Sequence, residues 1–357
     1  MAKLGPSLTG SQLARFQADT ARHLSFSLTL GCPLKCAHCM VPTVSPRDAE
    51  PVSLDMTAAC RFAVEMPELA RMGITRVSFT GGEPFLAEAQ LSIIAAAAAA
   101  AGIKTTVVTA CHWAKTFESA AKFVARFPFI SDWHLSTDLY HAEFLRPAYV
   151  IHAAKAVAAS GAQVLVRMAV GRDLDPEERA LTAWVRAQLS ADIPIALQPV
   201  SPVGRAKEIG VTPDFDDARS VPDAPCLTTG PLIQHTGRLL PCCSALSEKP
   251  EISPFATADA SVEGLPAAVR AWRSDPLLTL VRALGFGFPV AWAEAAGAAR
   301  VSPAPRHPCD YCTMFFSSDC AREAARAKAE EAPIRAQIEA LSRAVFDVEP
   351  RELEVSE

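Results

Sequence analysis

Between residues 25 and 200, short apolar runs alternate with longer stretches whose apolar positions recur at helical spacing. Ser25–Leu30 (SFSLTL) reads as a first strand, and Asp55–Met72 as an amphipathic helix that Gly73 stops. The same alternation predicts strands at Thr75–Phe79, Thr105–Thr109, Asp132–Thr137, Val164–Val170 and Ile193–Gln198. Helices are predicted between them at Leu86–Ala101, Lys115–Arg126, Arg146–Ser160 and Pro176–Leu189. The tract Ala95–Ala101 is a plain helix former. Six strand–helix units in a row predict an α/β fold with parallel strands and right-handed crossovers. Periodicity leaves two architectures open, a partial barrel and a doubly wound open sheet.

The pattern changes after residue 200, where Pro199, Pro202, Pro213, Pro222 and Pro225 break the regularity and mark a domain boundary. To about residue 320 the chain is rich in proline and cysteine with little clear periodicity, as expected of a segment that a metal helps to fold. Residues 321–345 read as terminal helix broken near Pro333, followed by an acidic tail. The predicted organisation is an N-terminal extension (1–24), a barrel domain (25–205), a cysteine-rich domain (206–320) and a C-terminal helix with tail (321–357).

Composition adds mostly exclusions. Half of the 357 residues are hydrophobic and a fifth are charged, enough for a sizeable core and against wholesale disorder. A net charge of −5 without a basic tract argues against nucleic acid as a partner. The N-terminus lacks the pattern of a signal peptide, and the longest apolar run, Ile93–Ile103, is too short for a bilayer. The chain reads as soluble and cytoplasmic. Its 11 cysteines fall mostly in two groups, which points to metal rather than a disulfide scaffold.

The first group, Cys32-Pro-Leu-Lys-Cys36-Ala-His-Cys39, occupies the loop after the first strand, where α/β barrels carry their functional residues. Three thiolates can hold three irons of a [4Fe–4S] cluster and leave the fourth open, whereas structural zinc wants four ligands. His38 as a fourth zinc ligand is awkward beside Cys39. After the second strand comes Thr80-Gly81-Gly82-Glu83-Pro84. Its glycines allow close backbone approach, and Glu83 offers an acceptor for a cationic group. Taken alone, it is equally a tight turn with Pro84 opening a helix.

Together these two motifs resemble the radical S-adenosylmethionine (SAM) superfamily, with its CxxxCxxC loop after strand one and GGEP after strand two. The resemblance implies a partial (β/α)6 barrel and cluster ligation by Cys32, Cys36 and Cys39. It further implies SAM chelated to the open iron, with Gly81, Gly82, Glu83 and Pro84 at the cofactor. Electron transfer into the sulfonium would release a 5′-deoxyadenosyl radical that takes a substrate hydrogen.

Weaker signals lie at other strand ends. Ser136 and Asp138 share a face by period two and, in relatives, such groups contact ribose or substrate; capping of the next helix explains them equally well. Arg167 interrupts an apolar strand and resembles the strand-five residue that meets the cofactor carboxylate, with a structural ion pair as the alternative. Strand three ends Thr109-Ala110-Cys111-His112-Trp113, where many relatives have Thr-Asn-Gly. Cys111 is thereby a candidate hydrogen-atom donor, or else a small buried filler. Tyr140-His141-Ala142-Glu143 after strand four offers a possible proton acceptor and is equally an ordinary exposed helix start, and Cys60 reads as core.

In the second group, Cys226, Gly237 and Cys242 form C-x10-G-x4-C, and Leu232–Leu240 between them reads as a hairpin turning at Thr236-Gly237. Cys309-Asp310-Tyr311-Cys312 follows. Four cysteines from two elements suit zinc or [4Fe–4S]. This region resembles the SPASM and shorter twitch extensions of the superfamily. The twitch form fits better, which implies one auxiliary [4Fe–4S] cluster on Cys226, Cys242, Cys309 and Cys312, with Cys243 and Cys320 as alternates.

The resemblance implies two substrate classes. One is oxidative modification of a peptide or protein side chain, and the other is dehydrogenation of a small molecule such as a sugar or aminocyclitol. The 24 residues before strand one leave no room for a winged-helix peptide-binding domain, so a peptide substrate would call for a separate recognition protein or direct binding in the barrel. Flavodoxin or ferredoxin is the expected class of electron donor. A non-catalytic metal-binding or electron-transfer protein is the reading of a different class, and the GGEP segment argues against it.

Overall fold

The computed structural model describes residues 9–171, 173–210, 223, 225–227, 230–242, 258–298 and 308–346. Its centre is a sheet whose strands turn alternate residues to opposite faces. Six of them are β1 (His23–Ser27), β2 (Arg76–Thr80), β3 (Lys104–Thr109), β4 (Asp132–Ser136), β5 (Gln163–Val170) and β6 (Ile195–Pro199). They lie side by side in sequence order, all parallel. Leu24, Phe26, Val77, Phe79, Val107, Trp133, Leu135 and Val166 are completely buried in one core with the covering helices. Those helices are α2 (Met56–Arg71), α3 (Glu88–Ala100), α4 (Phe117–Val124), the short α5 (Leu139–Ala142), α6 (Ala148–Ser160) and α7 (Pro176–Gln188), preceded in the chain by α1 (Gly10–Ala21). The six βα units are those expected from the sequence, with boundaries moved by one to three residues.

The opposite face of the sheet is polar. Register places Ser25 beside Ser78, Ser78 beside Thr106, and Ser136 beside Arg167. His23 also lies on this face and approaches Ser78, Nε2 to Oγ, at 2.6 Å. Hydroxyls, imidazoles and a guanidinium thus line the concave side, while the helical side is apolar.

Local chemistry fixes the helix starts. Asp55 caps α2 by accepting from the Thr57 and Ala58 amides. Asp175 and Glu178 form a reciprocal capping box at α7, with Pro176 at its first position. Beneath α3 and α4, Phe85, Trp113, Phe123, Phe127 and Trp133 form a continuous aromatic cluster.

Beyond residue 205 the structure departs from the sequence expectation in two ways. The anticipated hairpin exists as β7 (Leu232–Ile233) and β8 (Leu239–Leu240), and Gly237 takes φ +82° at its turn. However, β7 pairs parallel with β1, so the hairpin extends the main sheet to eight strands. The stretch expected to lack periodicity contains α8 (Ala260–Glu263), α9 (Leu265–Ser274), α10 (Pro276–Leu284) and α11 (Gly287–Ala295). Proline opens α9 and α10, where its missing N–H costs nothing. After α12 (Pro308–Phe316), the terminal helix is broken as expected, into α13 (Asp319–Ala329) and α14 (Ala332–Phe346). A second core of Leu277, Val281, Phe286, Phe315, Phe316 and Ala325 joins these elements. Among the described residues, no helix is long and apolar enough to cross a membrane.

Candidate active site

The Cys32–Cys39 loop leaves the sheet at the C-terminal end of β1 and is tied down from two sides. Its backbone pairs with a neighbouring loop, Cys32 N–H donating to the Val44 carbonyl at 3.0 Å. The segment after β6 holds its other end. The Arg205 amide donates to the Cys39 carbonyl at 3.0 Å, and the Arg205 guanidinium donates to the Cys36 carbonyl at 3.1 Å and to Thr43 Oγ1 at 3.2 Å. Gly204 has φ +67° and sits so close that a Cβ would stand 2.4 Å from the Cys39 oxygen. Arg205 meets the carbonyls of Cys36 and Cys39 and the hydroxyl of Thr43, all far away in the chain, so no local pattern marks these contacts.

Cys36 is buried, while Cys32 and Cys39 are half-buried. Burial pushes the Cys32 thiol up to about 12, and nearby Glu83 and Cys39 push the same way. Cys36 is raised by burial and then by Asp138, Cys32 and Cys39. Cys32 and Cys36, whose ionisation burial and neighbouring charges oppose, are poor nucleophiles as they stand, but a bound cation removes the opposition by pairing with their thiolates. The donor set therefore suits a thiolate-bound metal group.

The glycine pair lies against this loop. The Gly82 amide donates to the Thr29 carbonyl and the Glu83 amide to the Gly31 carbonyl, both at 2.7 Å. Gly81 has φ +121°, and a Cβ on Gly82 would fall 2.0 Å from the Gly31 oxygen, so the approach requires glycine. Pro84 is buried and begins a single 3-10 turn. Glu83 is 1% exposed. Its carboxylate accepts from the Thr109 hydroxyl at 2.8 Å and from the Ala110 amide at 3.0 Å, and His112 Nδ1 stands 3.7 Å away. Glu83 thus joins the ends of β2 and β3.

At the end of β4, Asp138 is the N-cap of α5 and accepts from the amides of His141 at 2.9 Å and Ala169 at 3.2 Å. Its carboxylate also faces His141 Nδ1 at 2.8 Å and His38 Nε2 at 3.9 Å. His38, Asp138 and His141 each bring one ligand-type atom within 4.8 Å of the others. This meeting joins the cysteine loop to the end of β4; His38 was visible in the motif and His141 as a possible proton acceptor, but nothing in the sequence brings the two together. Burial lowers His38 to about 4 despite the opposing effect of Asp138. Ser136 lies on the concave face beside Arg167, whose guanidinium donates to Gln198 Oε1 at 2.9 and 2.6 Å.

Cys111 is fully buried in the main core with φ +62°, the one non-glycine residue at positive φ among those described. Burial pushes its thiol well up. This packed setting suits the filler reading. Cys60, expected in the core, is instead exposed on α2, since the buried stripe of that helix is Ala59, Phe62, Met66 and Leu69.

The second cysteine group also converges. Cys226, Cys242 and Cys309 all act on Cys312, whose thiol is raised first by burial and then by those three neighbours. Cys226 and Cys312 pack against the second core. Cys320 is exposed on α13, and Cys243 lies outside the described residues.

Residues 26–183 match the family model of the Radical SAM superfamily. The matched stretch carries the three-cysteine loop, the glycine pair and Asp138. Curated relatives named GTP 3′,8-cyclase are similar over part of it. That of Mycolicibacterium smegmatis is 37% identical over 98 residues, 26% of this chain and 26% of that protein. That of Stenotrophomonas maltophilia is 33% identical over 99 residues, 28% and 29% of the two. The chain thus spans little more than a quarter of the length of the curated relatives it matches. A solved structure, native anSMEcpe with bound AdoMet, is similar at TM-score 0.42 and 10% identity, covering 90% of this chain and 99% of that one.

Proposed function

We propose that the protein is a radical SAM enzyme that cleaves SAM reductively and abstracts a hydrogen atom from its substrate. The observation that carries this reading is the seating of Gly82 and Glu83 on the carbonyls of Thr29 and Gly31, which puts the glycine pair against the three-thiol loop. Cys32, Cys36 and Cys39 would hold a [4Fe–4S] cluster, and Gly81, Gly82 and Glu83 would border the SAM site. Bound there, the cluster and SAM would supply one-electron cleavage of the sulfonium to methionine and a 5′-deoxyadenosyl radical. Arg205 and Gly204 keep the cysteine loop in register with β6, and Glu83 fixes the mouth between β2 and β3. Cys226, Cys242, Cys309 and Cys312 would hold an auxiliary cluster, which suits net oxidation because it can accept the electron left on a substrate radical.

For the substrate, the cysteine-rich extension supports oxidative modification of a peptide or protein side chain. A small polar molecule is the second reading. The hydroxyl- and arginine-lined concave face favours it, and the partial relatives named for action on GTP are consistent with it.

Anaerobic iron and sulfide analysis, paired with 5′-deoxyadenosine release under dithionite, tests the chemistry. The reading expects about eight irons in the wild type and about four in a Cys32/Cys36/Cys39-to-Ala variant. The nucleoside should come from the wild type alone. Zinc in place of iron, or a fully loaded protein that leaves SAM intact, would sink it.

A further inference from the structure

Resting on the peptide reading above, we propose that an extended segment of the substrate adds to the open edge of β6 as a further strand. The sheet has two edges, β6 and β8, and the fold treats them differently. The edge of β8 is covered. The Leu239 amide donates to the Ala258 carbonyl at 3.3 Å, the Ala260 amide donates to the Gly237 carbonyl at 2.9 Å, and Leu239 and Leu240 are completely buried. Along β6, by contrast, Leu197, Gln198 and Pro199 are exposed, Leu197 by 41%. Among the described residues, no strand pairs with the side of β6 turned away from β5.

Register decides which groups that side offers. The Val166 amide donates to the Pro194 carbonyl at 3.0 Å, and the Val200 amide to the Val170 carbonyl at 2.9 Å. Bonded residues alternate along a parallel ladder, so Pro194, Ala196, Gln198 and Val200 address β5. Ile195 and Leu197 therefore turn both N–H and C=O outward, and Pro199 its C=O alone. The complement of such an alternating row is another extended backbone, which is how strand addition recognises a peptide. Exposed edges are commonly guarded by charge, yet Pro194–Pro199 carries none. Pro199 ends the row by withholding a donor.

The row also runs toward the candidate active site. Ala196 is the register partner of Arg167, and Gln198 accepts from the Arg167 guanidinium, so both face the concave side. A short segment beyond Pro199, Gly204 lies against Cys39 and Met40. Side chains of an added strand alternate between faces, so every second residue of the peptide would turn to the concave side. One of them would stand level with Gln198, at the end of the strand nearest the cysteine loop. Holding of this kind reads backbone, and it leaves selectivity to the side chain that enters.

The probes are short peptides selected from a displayed random library on the anaerobic, cluster-loaded full chain. Their affinities are measured by calorimetry, unmodified and with single backbone N-methyl groups. N-methylation at alternate positions should weaken binding to the wild type about tenfold, the effect of one lost hydrogen bond, while the intervening positions tolerate it. Leu197→Pro removes an outward N–H and spares the ladder to β5. It should weaken binding about tenfold as well, with iron content and circular dichroism unchanged. The N-methyl series uses the wild type, so it stands whether or not that variant folds. Peptides that bind but accept N-methyl groups everywhere, or bind Leu197→Pro equally well, overturn strand addition and leave the peptide reading in place. Failure to enrich any peptide overturns both. A wild-type dimer that Leu197→Pro dissociates would make a second copy of the chain the occupant, which also overturns the proposal.

Discussion

The Glu83 carboxylate accepts the Thr109 hydroxyl at 2.8 Å, joining the residue after the glycine pair to the last residue of β3. Thr109 Oγ1 in turn accepts from the Cys111 amide and from Trp113 Nε1, both at 3.2 Å. One threonine thus organises the turn that leaves β3, and Glu83 is the charged group to which it is anchored. Thr109→Val keeps the shape and removes all three bonds. A buried hydrogen bond to a charged group is worth about 1.5–3 kcal/mol, so the variant should lose roughly that much stability. Anaerobic urea titration measures it, and a loss below about 0.5 kcal/mol would mean that Glu83 does not depend on this partner.

Gly82→Ala tests the approach of the glycine pair to the cysteine loop. The new Cβ would overlap the Gly31 oxygen, beside Cys32, and the overlapping atom is rigid backbone. The loop must move, so iron at the first site should fall, taking total iron down by about half, while helix content by circular dichroism holds. Gly102→Ala is the control. Gly102 has φ +77° with nothing within 4 Å of its Cβ position, so that variant should lose about 1–2 kcal/mol of stability and keep its iron.

The barrel was legible because its signals are local. Strand alternation, helical spacing and capping residues such as Asp55 and Asp175 all lie within one element. The helices after residue 258 were not legible, because Pro266 and Pro276 look like breakers until their place in the first turn is known. Cys111 shows the same limit at the site. Its left-handed backbone and complete burial are properties of the folded turn, and no spacing within Thr109–Trp113 announces them. The meeting of His38 with Asp138 and His141, a hundred residues apart, is likewise a product of strand order.

Cys312→Ser and Cys320→Ser separate the ligand reading of the second group from its alternate. Cys312 stands among Cys226, Cys242 and Cys309, whereas Cys320 is exposed on α13. If the four converging thiols hold a cluster, Cys312→Ser should remove about four irons and loosen the second core against which Cys312 packs. Cys320→Ser should keep the full iron content. The reverse result would move the ligand set to Cys320.

Acid should destabilise the barrel through the histidine at its polar face. Burial, then the charge of Arg76 and then His134, lowers His23 to about 4 from 6.5, and the Ser78 hydroxyl lies 2.6 Å from its Nε2. In the unfolded chain the same imidazole takes its proton near pH 6.5. Between about pH 6.5 and 4 the unfolded state therefore binds more protons than the folded one, and stability falls as pH drops through that window. The limiting slope is about 1.4 kcal/mol per pH unit for each such histidine. His134, lowered to about 4 chiefly by burial and then by Arg167, adds in the same direction. Loss of iron in acid would lower stability in every variant, so the informative quantity is a difference. Urea midpoints taken anaerobically at pH 7 and pH 5 should fall less in His23→Gln, whose amide can still reach the Ser78 hydroxyl but cannot titrate. An equal fall in both proteins would show that His23 does not carry the pH dependence of the barrel.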